Sequence, residues 1–357
     1  MLLVKGSLDR ERPPVIKIYG ESIRMKDSIR YLGIHLDAKL RIDTHVENVT
    51  SRCRVMFNSL ARVAKSNWGL GHRAMSTLYK GLFVPITTYA AAGWADLLNE
   101  SHRRKLASVQ RHALLRVTKA YRTVSTDAIP VIAGVLPIDL AIIERAHQYK
   151  IRRSIHFEFE GLAFREDEAA TGSRTRSLLR ARLREAIFRT WQRRWTSSSK
   201  GRTTFEFFDD VQARLRSNWV RLDTYVVQFL SGHGNFRAKL SAFNLVENEF
   251  CLCGEEQTSG HLLFHCERYS NSRSDLRNKA LEIGLHDRIT PRELVSKELF
   301  ETFKELARKI LNRQSNDDGT TQRLETDESS HLDSTCDQSL NTGTSGRDTS
   351  PTNAPPE

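Results

Sequence analysis

Residues 251–266 hold three of the chain's five cysteines, in the order Cys251-x-Cys253-x7-His261-x4-Cys266, with His265 just before the last thiol. A tetrahedral metal site takes two ligands from a tight turn and two from the element that follows. Phe250 to Cys253, backed by Gly254, supplies the turn, and His261 to Cys266 spans one to one-and-a-half helical turns. In an α-helix positions 261 and 265 share a face and 266 is adjacent, so His261 and His265 compete for the fourth place. Three thiolates and one imidazole suit Zn²⁺. Four protein ligands close the site, which makes the ion structural and its binding part of folding. The plain alternative is a set of buried, reduced thiols. Five cysteines are too few for a disulfide framework in 357 residues, and their clustering suggests a reducing compartment.

Other candidate chemistry is sparser. Phe207-Phe208-Asp209-Asp210 matches a polymerase Tyr/Phe-x-Asp-Asp string. Two-metal phosphoryl transfer needs adjacent carboxylates on a rigid turn and a third from another strand. Here an amphipathic helix follows, without a hairpin partner, so the string reads as a decoy. Asp317-Asp318 falls in a polar tail. Walker, GxSxG and HExxH motifs are absent from the sequence. His233, in Gly232-His233-Gly234, is the most suggestive single histidine, because flanking glycines let backbone approach a phosphate or another strand. A turn with a satisfied histidine is the simpler reading.

The elements that position these residues are mainly helical, after a small β segment at the N-terminus. Val15 to Tyr19 and Ser28 to Asp37 read as strands. From Thr44, a plausible N-cap with Glu47 three residues on, Val46, Val49, Cys53, Met56, Phe57 and Leu60 recur at helical spacing. Cys53 therefore reads as core. Helices are predicted over about 73–83, 86–94, 101–118 and 138–155, and an acidic linker over 157–172. An arginine-rich helix over 174–195 carries Leu179, Leu183, Ile187 and Trp191 on one stripe. More helix is expected at 205–230, and at 270–312 with breaks near Gly284 and Pro291.

Charge is unevenly distributed. The formal net charge is +12, but residues 314–357 hold nine acidic and two basic residues. The preceding 313 residues hold 53 basic against 34 acidic, a net of +19. Such a body suits a polyanion. The tail from 313 on is too polar to offset its ordering entropy and is expected to be disordered. No apolar run reaches the ~18 residues of a membrane span, and the first residues lack a secretory signal. The arginine-rich helix offers Arg174, Arg176, Arg180, Arg182, Arg184, Arg189, Arg193 and Arg194 to phosphates. Trp195, near its end, is a candidate to stack on bases, whereas Trp191 reads as a core anchor.

The string Tyr31-Leu32-Gly33-Ile34-His35-Leu36-Asp37-Ala38-Lys39-Leu40, followed by the His45-bearing helix, resembles the primer grip and thumb entry of non-LTR (LINE-like) retrotransposon reverse transcriptases. Gly81-Leu82-Phe83-Val84-Pro85-Ile86 through Gly93-Trp94 is similar to their thumb helices, and Leu106-x2-Val109-Gln110-Arg111 to the next one. Leu230 to Phe236 and Cys251 to Cys266 look like the C-terminal region of the type-1, ribosomal-DNA-inserting branch. The resemblance spans about residues 1–310.

It implies the end of a palm with primer-grip strands over 1–43, the grip at Tyr31, Leu32 and Gly33. It also implies a helical thumb over 44–156 and a basic nucleic-acid-binding region over 173–312. Within that region a zinc knuckle at about 250–267 would take Cys251, Cys253, His261 and Cys266 as ligands. The family's catalytic aspartates precede the primer grip. The resemblance therefore implies a C-terminal fragment of a Pol polyprotein, not catalytic alone, with Mg²⁺ confined to the absent palm of the parent. The implied partners are an RNA template, a DNA target or primer, and the upstream palm and fingers. The implied place of action is the nucleus. Thumb phosphate contacts would come from Arg52, Arg62, Lys65, Arg73, Arg103, Arg104, Lys105, Arg111 and Arg116. Two other expectations compete: a host zinc-containing protein whose basic helix docks an acidic partner, and a nuclease using His233 with Glu247 or Glu249.

Overall fold

Three dipeptides ending in glycine set the β-structure. The computed structural model describes residues 16–23, 28–37, 41–61, 70–165, 173–286 and 288–318. In it Tyr19-Gly20, Leu32-Gly33 and Glu160-Gly161 all have positive φ at both positions. That is the type I′ geometry whose twist matches two antiparallel strands. Ile16–Ile18 pairs with Glu21–Ile23, Ser28–Tyr31 with Ile34–Asp37, and Phe157–Phe159 with Leu162–Phe164. The last hairpin lies where a linker was predicted. Phe157 and Phe164 pair across it with rings stacked at 4.8 Å, and Phe157 also stacks on His147 at 4.3 Å. Two buried aromatics turn a nominal connector into a packed element. Residues 166–172 of the predicted linker lie outside the described residues.

The chain divides into two compact units, Met1–Arg308 and Lys309–Glu357. Helices dominate the first. Asp43–Ala61 begins one residue before the expected cap, and buries Val46, Cys53 and Phe57 completely. Burial pushes the Cys53 thiol up to about 12, as a core thiol requires. Glu47, expected to cap, instead meets Lys105 at 2.7 Å. Glu100–Thr118 is closed at its start by an Asn99–His102 capping box, and Ile138–Arg152 follows Pro137.

The predicted helix over 86–94 is not formed. His72–Leu78 runs through a π turn, Tyr79–Phe83, into Val84–Thr88, and the chain then breaks at Tyr89. Pro85 sits at the start of that last segment, where its absent N–H costs nothing. Ala90, in a left-handed conformation, leads into two 3₁₀ turns, and Trp94 is buried with its indole donating to the Tyr89 carbonyl at 2.9 Å.

Residues 44–156 and 173–308, read from the sequence as separate regions, lie in one unit joined by polar contacts. Asp139 accepts from Arg103 at 3.1 Å and from Arg194 at 2.7 Å. The buried Arg214 guanidinium donates to the Ile132 carbonyl at 2.6 Å and to Ser217 at 3.3 Å. Gln110 is satisfied at both ends. Its amide donates to the Tyr79 hydroxyl and the Leu136 carbonyl, and its oxygen accepts from the Ile138 N–H, all at 2.9 Å. A buried amide with every group paired holds three segments in register.

Further along, Arg202–Phe207, Val211–Arg216 and Thr224–Ser231 replace the single stretch predicted over 205–230. Ser270–Glu282 and Pro291–Leu294 flank Gly284, at φ 77°. The second unit starts inside the last helix, Phe300–Asp318, so residues 313–318, predicted to be tail, are helical. The remainder of the predicted tail lies outside the described residues.

Candidate metal centre and nucleic-acid surface

The candidate ligand cluster is built from a tight turn and a π turn. At the tight turn, Cys251 donates its N–H to the Glu255 carbonyl at 2.7 Å, and the Gly254 N–H returns to the Cys251 carbonyl at 2.8 Å. Gly254 holds φ 97°, which lets the chain reverse within the Cys-x-Cys-Gly stretch. His261–His265 is a π turn closed by the Cys266 N–H on the His261 carbonyl at 2.8 Å. A π turn aligns positions i and i+5. His261 and Cys266 therefore face the same point, while His265 is exposed. The π turn brings His261, and not His265, to the three thiols.

Ligand atoms of Cys251, Cys253, His261 and Cys266 lie within 4.8 Å of one another. Cys251 Sγ is 3.7 Å from Cys266 Sγ, which is 3.8 Å from Cys253 Sγ. Cys253 Sγ is 3.2 Å from His261 Nε2. A disulfide needs about 2.05 Å. A tetrahedron with metal–sulfur bonds of about 2.3 Å has edges of about 3.8 Å. The thiol spacing is that of the tetrahedron. The side of the cluster is fixed by two residues that sequence reasoning missed. Glu255 Oε2 lies 3.1 Å from His261 Nδ1, orienting the ring so that Nε2 faces the thiols. Arg273 is buried and donates to the Cys266 carbonyl at 2.6 Å and the Leu262 carbonyl at 3.3 Å. Glu255 was visible in principle, as a carboxylate in the short stretch between Cys253 and His261. Arg273 carried no local signal.

The arginine-rich helix, Ser173–Ser197, is longer than predicted by a residue or two at each end. It buries Leu183, Ile187 and Trp191, with Leu179 half-buried. Its arginines divide. Arg194 pairs with Asp139, Arg184 with Glu144 at 3.3 Å, and Arg193 with Glu160. Arg182 lies over the Phe164 ring at 5.5 Å. Arg174, Arg180, Arg182 and Arg189 are exposed, and Arg176 is half-buried. Trp195 is a correction. It is 1% exposed, and its indole donates to the Phe208 carbonyl at 2.7 Å, so its faces belong to the core and do not meet a base.

The Asp-Asp string is spent on architecture. Phe207 and Phe208 are buried, Asp210 caps the Val211–Arg216 helix through the N–H groups of Gln212 and Ala213, and Asp209 pairs with Arg292. At the other end, the Tyr31-Leu32-Gly33 turn is exposed at Tyr31 and Leu32 and is anchored by Tyr89, whose hydroxyl donates to the Leu32 carbonyl at 3.1 Å. A Cβ at Gly33 would stand 2.9 Å from the Tyr89 ring. Among the thumb candidates, Arg103, Arg104 and Lys105 pair with Asp139, Glu100 and Glu47, whereas Arg52 and Arg73 are exposed. Arg62 and Lys65 lie outside the described residues.

His233 sits on the turn that ends the Thr224–Ser231 helix. Gly232 closes that helix at φ 68°, and Gly234 passes so near Gln228 that a Cβ would overlap its side chain. The His233 Nδ1 meets the Thr123 hydroxyl at 2.9 Å. Burial, and then the nearby Lys239, push its pKa down to about 4, so the ring is neutral at physiological pH. Among the described residues no helix is long and apolar enough to cross a membrane.

The chain is 35% identical over 264 residues to the Retrovirus-related Pol polyprotein from type-1 retrotransposable element R1 4 of Nasonia vitripennis, covering 73% of this chain and 66% of that one. It is 30% identical over 289 residues to the corresponding R1 3 polyprotein of the same organism, covering 76% and 73%. It is 28% identical over 118 residues to a probable RNA-directed DNA polymerase from transposon X-element of Drosophila melanogaster, covering 31% and 12%. The chain spans about two-thirds of the first relative and about a quarter of longer ones. No protein-family model matches it, and no solved structure does.

Proposed function

Because the chain belongs to the Pol polyprotein family of type-1 (R1) retrotransposable elements, we propose that it handles nucleic acid during target-primed reverse transcription, holding template–primer and target DNA in the nucleus. The observation that carries this reading is the exposure of Arg174, Arg180, Arg182 and Arg189 along one helix of a strongly basic chain. Membership of that family sets nucleic acid ahead of an acidic protein as the partner. The exposed Tyr31-Leu32-Gly33 turn is the proposed primer grip, braced by Tyr89. The helices between Asp43 and Arg152 are the proposed thumb.

The Cys251, Cys253, His261 and Cys266 set is proposed to hold a structural Zn²⁺. Bound there, the ion would cross-link knuckle and π turn and would offer no open coordination position. Glu255 would keep His261 in the binding tautomer, and Arg273 would hold the backbone at Cys266. The chain's role is proposed to be positioning rather than bond making, since Asp209 and Asp210 are engaged by Arg292 and by a helix end. Mg²⁺ would then belong to the palm of a longer parent.

The test is binding of single-stranded and duplex oligonucleotides across a salt series. Affinity should fall linearly on a log–log plot, with a slope of several units, since each phosphate contact contributes about 0.7 to 0.9. A flat plot overturns the reading.

A further inference from the structure

The loop after the Glu100–Thr118 helix, the Lys200-Gly201 turn and the Gly232-His233-Gly234 turn line an open cavity of about 520 Å³. Its wall carries Arg111, Lys200 and His233, with the hydroxyls of Ser125 and Thr126 between them. Arg111 donates through Nη2 to the carbonyls of Arg122 and Val124, the latter at 2.8 Å. Both bonds use one nitrogen, which leaves the rest of the fork for a ligand. Lys200 is exposed at the rim. His233 is fixed by Thr123 at 2.9 Å. Asp127 also lines the wall, but its carboxylate accepts from the Ser198 hydroxyl at 2.7 Å. On the wall the two cations, Arg111 and Lys200, outnumber the one carboxylate, and burial, followed by the nearby Arg122, lowers the Arg111 pKa.

We propose that this cavity takes one unpaired nucleotide of a single strand, its phosphodiester on Arg111 and Lys200 and its sugar or base against His233. The assignment rests on the nucleic-acid reading of the chain. The volume exceeds what a bare phosphate needs and falls in the range of sites for nucleotide-sized ligands. A guanidinium fork and an ammonium, set among hydroxyls, are the groups that bind phosphate oxygens. A neutral imidazole offers a ring face and hydrogen bonds without a third charge. The wall is concave, and a base stacked in a duplex cannot enter it without leaving its stack. The two halves of the wall are also locked together, because Tyr121 donates to Asn235 at 2.9 Å beside the Thr123–His233 contact. The site is therefore present before any ligand arrives.

The experiment uses the full chain with single-stranded oligonucleotides carrying 4-thiouridine, and with duplexes of matched length. Crosslinking followed by peptide mapping should mark the segments 121–127 and 231–235. Lys200→Gln and His233→Gln, each checked by its melting curve, should weaken single-strand binding roughly three- to ten-fold and leave duplex binding within about two-fold. Lys200→Gln should also lower the salt slope by about one unit. If the chain binds single strands with neither these crosslinks nor these losses, the cavity assignment fails and the wider function stands. If the unmutated chain binds no nucleic acid, both fail. If inorganic phosphate at about the concentration of a mononucleotide competitor displaces the strand equally well, the site is a simple anion site and the nucleotide assignment is overturned.

Discussion

Arg194, near the end of the arginine-rich helix, donates to Asp139, in the first turn of the Ile138–Arg152 helix, at 2.7 Å. Arg103 reaches the same carboxylate oxygen at 3.1 Å. One carboxylate thus bridges two guanidiniums from helices far apart in the chain. Removing the carboxylate leaves two like charges facing each other. Asp139→Asn should destabilise the fold by about 1–3 kcal/mol, more than Arg194→Gln, because only the first creates an uncompensated pair. Urea unfolding of the two variants decides it. Equal midpoints would show that the arginines relax into solvent at no cost.

The metal cluster makes a residue-level prediction. Purified chain should carry one Zn²⁺ by elemental analysis. His261→Ala and Cys266→Ser should lose it, while His265→Ala should retain it. Chelation should then lower the melting temperature of the unmutated chain and leave that of His261→Ala unchanged, since ion binding and local folding are one equilibrium. Loss of the ion in His265→Ala would mean that the turn rearranges on binding.

Acid should weaken the fold before carboxylates titrate. His45 and His147 are buried, each has a ring nitrogen without a partner among the described residues, and burial pushes both down to about 4 from 6.5. The unfolded chain therefore takes up protons first as pH falls. Their contribution to stability is complete above about pH 6.5 and is lost progressively towards pH 4. His147→Phe should keep the stack on Phe157 and flatten the decline. Melting curves from pH 7.5 to 4.5 provide the readout, and parallel declines in variant and parent would remove His147 from the account.

The Gly33 turn should be intolerant of side chains. Its φ of 84° and the Tyr89 ring at 2.9 Å from a Cβ oppose alanine for two separate reasons. Gly33→Ala should loosen the hairpin, seen as faster amide exchange over 29–36, with a cost of about 1–2 kcal/mol. Tyr89→Phe removes the hydroxyl bond alone and should cost well under half of that. A reversed order would place the constraint in the hydrogen bond rather than in the turn.

Much of this was legible in the sequence, where the signal is local. The Cys53 stripe, the Glu100–Thr118 helix and the clustering of Cys251, Cys253 and Cys266 follow from spacing that any segment carries with it. The failures share a cause as well. The choice between His261 and His265 was posed on α-helical geometry, and the turn is π. Trp195 was read from its neighbours in sequence as a surface ring, but its partner, Phe208, arrives from the next element. Residues 157–164 looked acidic and connective because two phenylalanines, Phe157 and Phe164, meet only once the chain reverses. Arg111 and His233 share a wall although neither segment hints at the other.

The π turn has a consequence for how such modules vary over time. An α turn aligns i with i+4, so a His-x3-Cys version closed by an ordinary helix would bring the same two ligands to the same point. Loss of one residue between His261 and Cys266 would be absorbed by converting the π turn to α. The ligand geometry can persist while the spacing drifts by one. A pattern search with a rigid gap would discard sequences that keep the same ligand geometry. For this segment the hydrogen-bond register can change while the meeting point of the two side chains stays where it is.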